Sequence, residues 1–212
     1  MPNFKLNKKK IENMEQNSFK DLPEGYRLQR SLNLKENKRT YFTLVLTAVF
    51  AACAMVVAMS FFVPVSSYFE ANSRSMAYGA FLAGAVAYIL LHELTHCLIL
   101  KRYRAENVKT SFLSLASYPK SSSYISKNAY VKTALAPLIL FGAVLLILNF
   151  LVPSRFFWLV YMLQTLNVMG SIPDIFVVFL ISRRPPETLV LCVDSDICIF
   201  TKQSQTLSQD FC

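Results

Sequence analysis

The 212-residue sequence predicts a membrane all-α fold, a bundle of four transmembrane helices with a small cytoplasmic β-hairpin appendage. Three observations lead there. The hydrophobic share is 54% and the mean hydropathy +0.37, above the roughly 45–50% apolar content of ordinary soluble domains. The excess is gathered into four apolar stretches, each exceeding the roughly 20 residues a helix needs to cross about 30 Å of hydrocarbon. The basic residues also alternate between the connections. Ten of the 22 Lys and Arg precede Thr40 and seven lie between Lys101 and Lys132, whereas the other two connections hold only Arg74 and Arg155. That positive-inside distribution puts both termini on the cytoplasmic side of a cell membrane.

Residues 1–40 read as a basic cytoplasmic tail, mobile or loosely helical, whose Lys8-Lys9-Lys10 run suits an anionic lipid surface or plain solvent. Forty mostly polar residues precede the first apolar run, which is not the pattern of a secretory signal. The membrane domain, residues 41–182, starts with Tyr41–Val63, which carries no charge. Ala77–Leu100 returns inward and stops at Lys101-Arg102, whose long side chains can snorkel to the interface. A cytoplasmic insert at about 101–129 follows. Within it Val108, Thr110 and Phe112 alternate with Lys109 and Ser111, and Tyr124-Ile125 can begin a return strand after a turn at Pro119 and Ser121–Ser123. This is the expected hairpin. Tyr130–Val152 and Phe156–Ile181 are the last two spans, joined by a tight turn at Pro153–Arg155. Arg183-Arg184-Pro185-Pro186 then stops the helix, and Thr188–Val193 and Ile197–Phe200 read as short strands of a C-terminal segment, 183–212.

Composition also excludes some functions. The net charge of +9 is spent on the cytoplasmic connections, with no basic stripe interleaved with aromatics on a soluble domain, so no nucleic-acid partner is expected. Five cysteines form no CxxC pair and read as free, buried or reduced thiols.

The chemistry is concentrated in one motif. The chain has two histidines, and they stand four apart in His92-Glu93-Leu94-Thr95-His96. On a helix those imidazoles project from one face a turn apart and can converge on one zinc ion, with Glu93 placed to act as general base on the attacking water. The acidic residues inside the four spans are Glu93 and Asp174, and the basic one is Lys132, near an end. Ionisable groups at bilayer depth cost about 2.5–3.5 kcal/mol each on insertion scales and mark functional sites by default.

A catalytic zinc takes three protein ligands and leaves one position open. No third histidine exists, so a carboxylate or thiolate must complete the set. Asp174 is the leading candidate: it lies nine residues before Arg183, as His92 lies nine before Lys101, so both sit about 13 Å of helix from the inner boundary. Gly170, Ser171 and Pro173 loosen the helix just ahead of it. The alternatives are an Asp174–Lys132 pair and, for the ligand, Cys97, which points off the face of His96. Asn167, about two turns before Asp174, can bind a substrate backbone or a developing oxyanion, or make an ordinary interhelical hydrogen bond, as Gln164 and Ser171 can.

HELTHCLIL at 92–100, ALAPLIL at 134–140 and NVMGSIPD at 167–174 together resemble a bacterial family of zincin-type peptidases, small four-span membrane proteins. More distantly, the pairing of HExxH with a late-span Asn and Asp is similar to the site-2 intramembrane zinc metalloproteases. The resemblance implies His92, His96 and Asp174 as zinc ligands, Glu93 as base and Asn167 as substrate-contacting. Ile175 follows Asp174 where site-2 proteases carry Gly.

The expected activity is that of a zinc metalloendopeptidase acting on a membrane or membrane-associated protein near the cytoplasmic side. Two other classes compete. A metal-ion transporter needs a polar path through several spans, which the first and third hardly offer. A non-enzymatic scaffold or regulator would use the basic tail and the C-terminal strands.

Overall fold

A computed structural model describes residues 17–33, 36–108, 121–193 and 196–202. In chain order the elements are β1 (Ser18–Phe19), β2 (Tyr26–Asn33), α1 (Lys38–Ser60), α2 (Ser66–Ala71), α3 (Arg74–Arg102), β3 (Tyr124–Ser126), α4 (Lys127–Leu151), α5 (Ser154–Gly170), α6 (Ile172–Ser182), β4 (Leu189–Val193) and β5 (Asp196–Lys202). Four helical segments are long and apolar enough to cross a membrane: α1, α3, α4 and the α5–α6 pair. They fit a multi-pass membrane protein.

Local chemistry sets the helix ends. The Asn37, Ser73 and Ser126 side chains each accept from a backbone N–H in the first turn of α1, α3 and α4. At the other end of α6, the Lys127 ammonium donates to the Ser182 and Arg184 carbonyls, satisfying groups that a helix C-terminus leaves free. The bundle surface carries exposed large apolar side chains, among them Phe42, Leu46 and Phe50 on α1 and Ile139, Ile147 and Phe150 on α4. Such a surface suits lipid and not water.

The β structure is larger than the expected hairpin. Five antiparallel strands form one sheet in the order β1-β3-β4-β5-β2. The two anticipated C-terminal strands are its centre, paired from Leu189↔Phe200 to Val193↔Asp196. Tyr124–Ser126 is a strand too, but it pairs with Ser18-Phe19 and with Leu189-Val190. Its expected partner around Val108–Phe112 falls mostly in 109–120, outside the described residues.

The second difference lies in the basic tail, where residues 26–33 form the longest strand. Tyr26, Leu28 and Leu32 keep a period of two, but Arg30 interrupts it. An edge strand with most of its residues exposed tolerates such a residue, and a bulge between Leu28 and Arg30 absorbs the break in alternation. Gly25, at φ +83°, forms the tight turn from Pro23 to Tyr26 that starts the strand.

One core cluster joins the sheet to the helices. Ile125, Val190, Ile197 and Ile199 from the strands pack with Leu100 of α3, Ala129 and Ala134 of α4, and Val177 and Ile181 of α6. The sheet therefore covers the bundle end where α3 and α6 finish and α4 begins. A smaller cluster of Tyr68, Ala77 and Trp158 closes the opposite end, with the Trp158 indole donating to the Pro64 carbonyl at 3.1 Å. Cys53, Cys97, Cys192 and Cys198 are free thiols, and burial pushes the Cys192 thiol up to about 12.

Candidate metal centre

α3 presents Tyr88, His92 and His96 one turn apart along its buried face. The two imidazole rings are 4.9 Å apart at their centroids, with their Nε2 atoms 3.2 Å from each other. Asp174 enters from α6. The chain breaks helix at Ser171, and Pro173 occupies the first turn of α6, where no N–H is needed. This restart brings the Asp174 Oδ2 to 3.4 Å from His92 Nε2 and 3.5 Å from His96 Nε2. Its close contacts are thus with the histidines, and the alternative partner, Lys132, is exposed.

The three donor atoms make a nearly equilateral triangle of 3.2, 3.4 and 3.5 Å. Ligands about 2.0–2.2 Å from a tetrahedral zinc stand roughly 3.3–3.6 Å apart, so the residues fit that ion. Buried His92, His96 and Asp174 form the group of metal-capable side chains found among the described residues. The donor chemistry agrees. His96 Nδ1 lies 2.9 Å from the Thr133 carbonyl oxygen, which can only accept, so the ring proton is on Nδ1 and Nε2 offers a bare lone pair. The carboxylate likewise offers only acceptors. Three acceptors converging in this way suit a cation.

That carbonyl is free for a reason visible in the sequence. Pro137 sits inside α4 and has no N–H to give to the residue four before it, Thr133. The freed oxygen turns to His96. The ALAPLIL stretch therefore holds a proline whose consequence lies a turn away and on another helix.

Glu93 follows His92 and is partly buried. Its Oε2 is shielded from solvent without a hydrogen-bond partner among the described residues. A carboxylate oxygen held that way is poised for a proton donor that arrives with the reactants.

Asn167 is fully buried on α5. Its Nδ2 donates to the Leu138 carbonyl at 3.2 Å, and its Oδ1 accepts from the Tyr88 hydroxyl at 3.0 Å. These are the interhelical hydrogen bonds that stood as the alternative to a substrate contact, and they use one donor and one acceptor of the amide. The Tyr88 oxygen lies 2.8 Å from His92 Nδ1. Tyr88 was not legible as a site residue, because Tyr78 and Phe81 are further aromatics of the same span. The available signal was a hydroxyl-bearing ring four residues before the first histidine. Cys97 is buried outside the donor group.

Residues 85–189 match a family model described as putative zincin peptidase, a stretch that contains both histidines, Glu93 and Asp174. No curated protein and no solved structure matches the chain.

Proposed function

We propose, from the premise that residues 85–189 belong to the putative zincin peptidase family, that the chain is a membrane-embedded zinc metalloendopeptidase. Its substrate on this reading is a membrane or membrane-associated protein, cut toward the cytoplasmic side. The observation that carries the proposal is the buried triangle of His92, His96 and Asp174 donors, with the shielded Oε2 of Glu93 next in sequence to the first of them.

A zinc ion held by that triangle supplies a Lewis acid for the scissile carbonyl and lowers the pKa of water toward about 7. The remaining work falls to the chain. His92, His96 and Asp174 hold their donors at fixed mutual distances, so little rearrangement precedes reaction. Glu93 takes a proton from the attacking water and returns it to the departing amine, which requires the unprotonated carboxylate at the start. A helical substrate hides its amides, so it must be locally extended before its carbonyl can reach the site. The edge strands of the sheet suit an extended segment added by main-chain hydrogen bonds.

Glu93→Gln tests the assignment. The purified variant should keep about one zinc per chain and lose cleavage by about 10²–10⁴-fold, the usual contribution of a positioned general base. Substrates retained on it are then identified by mass spectrometry. Cleavage at the wild-type rate would remove Glu93 from the role. A purified wild type with no zinc would remove the peptidase reading.

A further inference from the structure

His96 is oriented by a carbonyl, but His92 turns its Nδ1 toward a hydroxyl, which can either donate or accept. The direction follows by elimination. The Leu138 carbonyl oxygen only accepts, so the Asn167 amide nitrogen donates to it and Oδ1 must face Tyr88. The Tyr88 hydroxyl has a single proton and gives it to that oxygen. Toward His92 it can then only accept. His92 therefore carries its proton on Nδ1 and presents an unprotonated Nε2 to the site.

We propose that Tyr88 and Asn167 are positioning residues, a buried hydrogen-bond relay from the Leu138 carbonyl of α4 that fixes the His92 ring in its metal-binding tautomer. The two imidazoles thereby reach the same state by different routes, one directly from a backbone carbonyl and one through two side chains. Both routes start on α4, at Thr133 and Leu138. Two glycines border the second at ordinary contact distances. A Cβ on Gly142 would stand 3.4 Å from the Asn167 Nδ2, and one on Gly170 would stand 3.7 Å from the Tyr88 hydroxyl. Every polar atom along the relay has a partner, although Tyr88 and Asn167 are only 7% and 0% exposed. Partners on outer groups of this kind orient a metal-bound imidazole, and their loss typically weakens metal binding about 10–100-fold.

The functional meaning rests on the zinc reading above, but the tautomer can be read without metal. The chain has two histidines, so selective ¹⁵N-imidazole labelling gives four ring-nitrogen resonances, assigned with His92→Ala. Metal-free wild type should show His92 protonated at Nδ1. Tyr88→Phe should show mixed His92 tautomers with His96 unchanged, and zinc affinity lower by about 10–100-fold. Asn167→Leu should behave alike. Asn167→Asp should restore most of the affinity, since its neutral acid can donate to Leu138 and accept from Tyr88. An unchanged His92 tautomer and zinc affinity in Tyr88→Phe would overturn the relay. A wild type that binds no zinc, yet shows the tautomer and its loss in Tyr88→Phe, would sink the peptidase reading and leave the relay standing.

Discussion

The first span and the last contrast sharply. α1 is among the most apolar helices of the chain, yet Ala48 is its one buried residue. The α5–α6 segment is less apolar, is interrupted by Asn167, Ser171 and Asp174, and buries side chains along both of its helices. In a soluble protein the ranking would run the other way. Inside a bilayer, lipid is as apolar as leucine, so hydrophobicity gives a helix no reason to seek the interior. Polar groups do, because each needs a partner away from hydrocarbon. The segment with the awkward residues is the one that the protein surrounds.

The largest expected effect lies on the buried side. His92→Ala/His96→Ala should abolish zinc binding measured by mass spectrometry or atomic absorption. Thr43→Ala/Thr47→Ala on α1, whose hydroxyls only bond back to their own helix, should leave it unchanged. Equal zinc in both double variants would break the contrast. A smaller effect separates two faces of α3. A Cβ on Gly84 meets the Leu163 side chain of α5 at 3.2 Å, whereas one on Gly79 meets nothing within 4 Å. Gly84→Leu should lower the thermal stability of the detergent-solubilised protein by about 1–3 kcal/mol through overpacking, and Gly79→Leu should do so far less. The smallest effect belongs to α1. Phe50, 73% exposed, should accept Leu with a change within about ±0.5 kcal/mol in the same assay.

Much of the bundle was legible because helices long and apolar enough to cross a membrane announce themselves by length and composition. The grouping of His92, His96 and Asp174 could be anticipated because ionisable residues are scarce in the apolar helices. The depth comparison that pointed to Asp174 used only residue counts from two basic stops, and the donors lie within 3.5 Å of one another. The sheet was harder. Tyr26–Asn33 interleaves arginines with apolar residues because it is an edge, and its partner is β5, at the far end of the sequence. Periodicity within one segment carries no record of a partner more than 160 residues away. Tyr88 was hidden for a related reason. Its role depends on Asn167, 79 positions on, and on which end of that amide faces it.

Pro137 deserves its place in the third span for what it lacks. The oxygen that steadies His96 belongs to the main chain, so any amino acid at position 133 would furnish the same atom. Position 137 has no such latitude: an ordinary residue there would bring an amide hydrogen to compete for that oxygen. The determinant of one ring's orientation is thus displaced four residues from the atom that exerts it. A survey restricted to side chains that touch the histidines would pass over it.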